Sequence, residues 1–263
     1  MRIASLGAGR MGRGVAVVFA YAGHDVAIVD FKDRPHADFE ALAREAETEI
    51  AGVMRTLARI GLMAERDIAT LMARVRIVPA KSAAEAFGAA DYIFEALPEV
   101  LDLKREALAR ASALARADTI IASTTSTILV DDMADAVVDP GRFLNAHWLN
   151  PAFLVPLVEL SPGAKTRPET TAAIKAMLEG IGKTPVVCAA RPGYIVPRIQ
   201  GMAMNEAARM VEEGVATAED IDKAIIHGFG FRFAILGLLE FIDWGGGDIL
   251  YHTSRYMTQA LGH

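Results

Sequence analysis

Cysteine is almost missing from this chain: Cys188 is the only one in 263 residues. An intrachain disulfide and a thiolate zinc cluster are therefore excluded, and a lone thiol fits a reducing compartment, so a cytoplasmic location is expected. Cys188 follows Pro185-Val186-Val187 and reads as a strand residue, not a nucleophile. The six histidines form no H-E-x-x-H or similar cluster, so no metal site is expected. Positive charge is not in excess either. The formal net charge is −6, which argues against a polyanion-binding surface and a nucleic-acid partner. The first residues read as a strand with no long apolar helical segment, so neither signal peptide nor membrane span is expected. What is there is a 52% hydrophobic chain, long enough to bury a large core and form two domains.

The apolar run Arg2-Ile3-Ala4-Ser5-Leu6 breaks into Gly7-Ala8-Gly9-Arg10-Met11-Gly12 and then continues as a helical pattern from Val15 to Ala22. In a strand-turn-helix corner of this spacing, Gly7 permits the tight turn and Gly9 lets the backbone approach a pyrophosphate. Gly12 lets helix and strand pack closely. Met11 sits in the same turn and is counted with the cofactor contacts. A second apolar run, Val26 to Val29, ends in Asp30, 18 residues beyond Gly12, where a parallel strand presents a carboxylate to the ribose hydroxyls of NAD. NAD is thus the expected cofactor, preferred over NADP because Asp30 repels a 2′-phosphate. Lys32 and Arg34 follow closely and soften that repulsion.

Strand-like and helical patterns alternate to about residue 188, which predicts a mostly parallel sheet with covering helices. The segment from His36 to Met72, rich in Ala, Arg, Glu and Leu, predicts two antiparallel helices broken near Gly61, an arm over 36–73. Further strands are expected at 75–78, 92–95, 119–123, 142–146, 154–160 and 184–188, with helices at 99–114 and 168–180. Past Arg191-Pro192-Gly193 the pattern turns wholly helical, at 195–213, 218–226 and 236–242. The expected architecture is α/β: a doubly wound, Rossmann-type domain over 1–190, then a smaller all-α domain over 191–263.

A histidine and a carboxylate stand twelve residues apart in Ala146-His147-Trp148-Leu149-Asn150-Pro151 and Pro156-Leu157-Val158-Glu159-Leu160. On neighbouring strand ends they make a general base with its own counter-ion. A neutral imidazole withdraws a hydroxyl proton near neutral pH, and a carboxylate on its other nitrogen fixes the tautomer and stabilises the imidazolium.

Six segments together resemble the 3-hydroxyacyl-CoA dehydrogenase family, in the same order and at similar spacings over nearly the whole chain. They are the Gly7–Gly12 turn, Phe94-Glu95-Ala96-Leu97-Pro98-Glu99, Ala122-Ser123-Thr124-Thr125-Ser126, His147-x-x-Asn150-Pro151, Pro156-Leu157-Val158-Glu159, and Pro192-Gly193-Tyr194-Ile195-Val196-x-Arg198. The resemblance implies NAD-linked oxidation of a 3-hydroxy group to a ketone in fatty acid metabolism, with a helical C-terminal domain that forms a homodimer. It implies that His147 is the catalytic base and Glu159 its partner, that Ser126 and Asn150 hold the substrate's reacting oxygen, and that Glu99 and Lys104 lie near the nicotinamide end. Ser and Asn suit that role chemically, since each donates a hydrogen bond to a developing carbonyl oxygen. They suit turns and caps equally well.

Three departures bear on the substrate. Pro197 and Thr124 replace asparagines usual in the family, and Trp148 replaces an aromatic or proline, which alters the expected pocket. Proline at 197 requires the first turn of a helix. The chain also stops at Leu261-Gly262-His263, where family members usually continue. For an acyl-CoA substrate, Arg55 and Arg59 on the arm offer partners for CoA phosphates, though interleaved with Glu45, Glu47, Glu49 and Glu65 they also read as a solvated face. The segment Gly228 to Glu240 is similar to relatives that oxidise free polar hydroxy acids, the L-gulonate and carnitine dehydrogenases. There Arg232 offers a fork for a carboxylate or pairs with Glu240. A third alternative is a retired enzyme serving as a binding or structural protein, as in the lens crystallins of this family.

Overall fold

A computed structural model describes residues 1–262. The chain divides into two compact units, Met1–Arg198 and Ile199–His263. In the first, β1 (Arg2–Leu6), α1 (Arg10–Tyr21) and β2 (Asp25–Asp30) form the opening strand-helix-strand, followed by the arm of α2 (His36–Arg59) and α3 (Ile68–Met72). Gly61 ends α2 at φ +80°, a conformation a Cβ disfavours, so the arm turns where the glycine stands. Then come β3 (Val75–Pro79), α4 (Ala83–Ala89), β4 (Tyr92–Glu95), α5 (Leu101–Leu114), β5 (Ile120–Ser123) and α6 (Val130–Ala134). β6 (Phe143–Trp148), β7 (Leu157–Pro162), α7 (Pro168–Gly180) and β8 (Thr184–Val187) complete the sheet.

The eight strands lie in the order β3-β2-β1-β4-β5-β6-β7-β8. All pairs are parallel except β6 with β7, which run antiparallel. Each inner strand packs on both faces, which is why it reads as a continuous apolar run. Along β4, Ile93 enters one core with Leu6, Phe87, Leu108 and Phe143, while Phe94 enters the other with Phe19, Ile174 and Leu178.

The same alternation decides the fate of two neighbours in β6. Trp148 goes into the second core, 1% exposed, edge-on to Phe94 at 5.7 Å. Contrary to expectation, it therefore shapes no substrate pocket. His147 points to the opposite face.

The second unit is helical, with the helix α8 (Val196–Glu212) leading to α9 (Ala218–Ala224), a π-helical stretch at Ile225–Gly230, α10 (Phe231–Phe233), α11 (Leu238–Gly245) and α12 (Gly247–Leu261). Phe229, Phe233, Phe241 and Trp244 form a chain of ring contacts at 4.5, 6.1 and 5.9 Å. No single helix among the described residues is long and apolar enough to cross a membrane.

Candidate active site

The turn after β1 is built for close backbone approach. Gly7 has φ +118°, and a Cβ there would stand 2.8 Å from the Ala96 carbonyl oxygen. A Cβ on Gly12 would collide with the Gly7 carbonyl oxygen and lie 2.6 Å from Ser5 Oγ. Gly9 has open space before it, its nearest neighbour 3.9 Å away. Beyond the turn lies a cavity of about 340 Å³ whose lining includes Gly7, Gly9, Asp30, Phe31, Leu97 and Arg110. This cradle, with the buried Asp30 at the end of β2, fits the pyrophosphate and ribose of a dinucleotide. Met11 is half-buried and packs against the core in the first turn of α1.

His147 and Glu159 are register partners across β6 and β7. Antiparallel pairing and the two-residue period put both side chains on one face. His147 Nδ1 is 2.8 Å from Glu159 Oε2, and His147 Nε2 is 3.2 Å from Ser126 Oγ. With Glu159 ionised, Nδ1 carries the ring proton and donates it, which leaves Nε2 as acceptor for Ser126. The other carboxylate oxygen, Oε1, accepts from the backbone N–H of Ile195 at 2.9 Å and of Val196 at 2.8 Å. Burial works to raise the pKa of Glu159, but the bonds from His147, Val196 and Ile195 outweigh it and hold the carboxyl below its ordinary value.

Tyr194 covers the histidine from above, its ring stacked on the imidazole at 5.2 Å and 21°. It has φ +44°, an unusual conformation for a residue with a side chain, following Gly193 at +78°. Its hydroxyl accepts from Asn145 Nδ2 at 2.9 Å and donates to the Thr125 carbonyl at 3.0 Å. The sequence singled out this segment only as a motif; the role of Tyr194 depends on a chain reversal that spacing does not reveal.

The carboxylate of Glu99 gathers the turn after β5. Its Oε1 accepts from the Ser126 N–H at 3.0 Å, the Thr127 N–H and hydroxyl at 2.9 Å each, and the Thr125 hydroxyl. Burial pushes its pKa up; the Thr125 and Thr127 hydroxyls, Lys104 and the Thr127 N–H more than reverse that, lowering it to about 2. Lys104 is fully buried beneath, donating to Glu95 Oε1 and Oε2 at 2.8 and 3.1 Å and to the Leu97 carbonyl at 3.0 Å, with Glu99 Oε2 at 3.4 Å. Ser123 donates to the same Glu95 carboxylate. Lys104 is thus a support under the 95–99 turn. Glu95 and Ser123 are members of the site that sequence reasoning missed.

Asn150 is exposed at the turn after β6 and makes no hydrogen bond to His147 or Ser126 among the described residues. It lines a separate cavity of about 360 Å³ with Arg10, Arg13, Glu49 and Phe153. Glu45 and Glu49 of α2 pair with Arg13 on α1, clamping the arm to the sheet domain. Arg55 and Arg59 are exposed on α2, with no ion pair among the described residues. Pro197 is the second residue of α8, in its first turn, where its missing N–H costs nothing. In the helical unit, Arg232 stacks on Phe241 at 4.3 Å, while Glu240 accepts from its own Gly237 N–H at 3.3 Å and does not pair with it.

Residues 2–191 match the 3-hydroxyacyl-CoA dehydrogenase, NAD binding domain family, and residues 193–263 match the corresponding C-terminal domain family. An L-carnitine dehydrogenase of Streptomyces griseus is 34% identical over 99% of this chain and 74% of its own length. A 3-hydroxyadipyl-CoA dehydrogenase of Escherichia coli is 34% identical over 94% of this chain and 49% of its own. The solved structure of an NAD+-dependent 5-formyl-3-hydroxy-2-methylpyridine 4-carboxylic acid 5-dehydrogenase superposes with TM-score 0.84 at 29% identity, covering 98% of this chain and 80% of that one. An (S)-3-hydroxybutyryl-CoA dehydrogenase from Ralstonia eutropha gives 0.77 at 31% identity, covering 87% and 77%.

Proposed function

The chain belongs to the 3-hydroxyacyl-CoA dehydrogenase family of NAD-dependent oxidoreductases, and on that premise we propose that it oxidises the 3-hydroxy group of a 3-hydroxyacyl-CoA to the ketone. The observation that carries this reading is the continuous relay Glu159–His147–Ser126, at 2.8 and 3.2 Å. His147 Nε2 takes the hydroxyl proton. Glu159 holds the ring in the required tautomer and stabilises the imidazolium. Ser126, within reach of the same nitrogen, donates to the substrate oxygen as it becomes a carbonyl; the second-donor role that the family resemblance gives Asn150 has no support from its place in a separate cavity. NAD, which the Gly7–Gly12 turn and Asp30 would hold, would supply the hydride acceptor. Arg55 and Arg59, exposed and free of acidic partners among the described residues, support phosphate contacts with CoA.

A second reading, a free polar 3-hydroxy acid of the L-gulonate or carnitine kind, draws on the relatives named L-carnitine dehydrogenase and on Arg232, whose guanidinium is not taken by Glu240. A retired, purely structural protein is disfavoured by the intact relay and glycine turn. The discriminating experiment supplies NAD with 3-hydroxybutyryl-CoA, L-carnitine or L-gulonate and follows NADH absorbance. NADH from the thioester supports the first reading; NADH from a free acid alone replaces it with the second, and none from any substrate supports the scaffold.

The same reading includes a homodimer through the helical unit, where Met202, Ile235, Leu239 and Trp244 are between 71% and 77% exposed. Large apolar side chains left in water on this scale mark an interface. A cytoplasmic setting goes with it, since a chain with one unpaired thiol suits a reducing compartment.

A further inference from the structure

We propose that the adenosine end of the cofactor cavity carries a built subsite for a 2′-phosphate, so that this chain accepts NADP as well as NAD. Asp30, the carboxylate that would repel that phosphate, is already matched by a cation. Arg34 Nε donates to Asp30 Oδ2 at 2.6 Å, the carboxylate buried and the guanidinium reaching it from the solvent side. One carboxylate oxygen remains for a ribose hydroxyl.

Immediately beside the cofactor cavity is a second one of about 260 Å³, and the two share Lys32 and Arg34 in their walls. Besides those two, the second cavity is lined by Asp33, His36, Phe39, Pro79 and Lys81. Three permanent cations, Lys32, Arg34 and Lys81, thus stand against two carboxylates, Asp33 and the already paired Asp30. A dianionic phosphate entering from the ribose of the neighbouring cavity meets a net positive wall, with guanidinium N–H groups besides Nε free to turn toward it. Discrimination between the two cofactors is a difference of affinities, and repulsion is what normally makes it large. With Asp30 paired to Arg34, that repulsive element is weakened. The sequence set Lys32 and Arg34 beside Asp30 as cations that soften its repulsion, and the Arg34–Asp30 ion pair is the form that softening takes.

The test is calorimetric titration of the full chain with AMP, adenosine 2′,5′-bisphosphate and adenosine 3′,5′-bisphosphate. The last is the fragment that CoA would present. The account expects the 2′,5′-bisphosphate to bind within about tenfold of AMP or tighter, and more tightly than the 3′,5′ isomer. Replacing Lys32→Ala together with Arg34→Ala should weaken the 2′,5′-bisphosphate by about tenfold or more, and by more than it weakens AMP. Lys81→Ala, which lines the second cavity but not the cofactor cavity, should shift the same ligand in the same direction. A 2′,5′-bisphosphate more than about tenfold weaker than AMP, a stronger 3′,5′ isomer, or a double variant with a smaller loss would overturn the subsite. Failure of AMP itself to bind would overturn the dinucleotide site and this subsite with it.

Discussion

Glu159 meets His147 twice over, as its register partner across the β6–β7 pair and as the acceptor of its Nδ1 proton at 2.8 Å. The carboxylate is itself fixed by two backbone N–H groups from the turn after Tyr194. Glu159→Gln keeps the shape but removes the charge that steadies the imidazolium. Turnover should fall by roughly 10- to 100-fold with KM little changed, measured by steady-state kinetics. An unchanged turnover would show that the imidazolium needs no counter-ion here.

Acid should loosen the turn that carries Ser126. The Glu99 carboxyl sits at about 2 against an ordinary 4.5, so its stabilising bonds are fully present above about 4.5 and are lost as pH falls toward 2. Its side chain is 38% exposed, so solvent screening limits the size of the effect. Thermal denaturation at pH 5 and pH 3 should show a smaller drop in Tm for Glu99→Gln than for the unaltered chain. Equal drops would mean that other carboxylates carry the acid sensitivity.

Tyr194→Phe retains the ring over His147 and deletes the bridge between Asn145 and Thr125. Removing a buried hydroxyl from two hydrogen bonds should cost about 1 to 3 kcal/mol, measured by chemical denaturation. Turnover should fall more than cofactor affinity, because the bridge holds the residue next to Ser126. No loss of stability would mean that water replaces the hydroxyl.

Much of this arrangement was legible in the chain. Strands buried on both faces leave continuous apolar runs, and proline and glycine at the ends of 168–180 marked that helix to the residue. The helices at Ala83–Ala89 and Val130–Ala134 went unread because they are one or two turns long and carry no full apolar period. β6 continues past Ala146 to Trp148, which moved His147 from a strand end into the strand. The last helix, Gly247–Leu261, was not foreseen; its apolar positions stay exposed. At the site, His147 and Glu159 were visible as residue types at a suitable spacing. Glu99 was given a role only through the resemblance and Glu95 none at all, since the end of β4 decides which acid is buried on Lys104 and which gathers the 125–127 turn.

The two substrate readings separate on arginines. If CoA lies along the arm, Arg55→Ala with Arg59→Ala should raise KM for 3-hydroxybutyryl-CoA several-fold without altering turnover, since lost phosphate contacts are lost equally in ground and transition states. For a free acid, Arg232→Ala should be the damaging change, with the arm pair silent. Kinetics of both variants on both substrates decide between them, and damage from Arg232→Ala with a silent arm pair would contradict the acyl-CoA reading.

The claim that His147 is the base faces its most direct test in His147→Ala, assayed for turnover and for NAD binding on the same preparation. Turnover should fall roughly 100- to 10,000-fold while NAD affinity stays nearly intact, because His147 contributes no part of the glycine cradle or Asp30. Near-normal turnover in that variant would contradict the account.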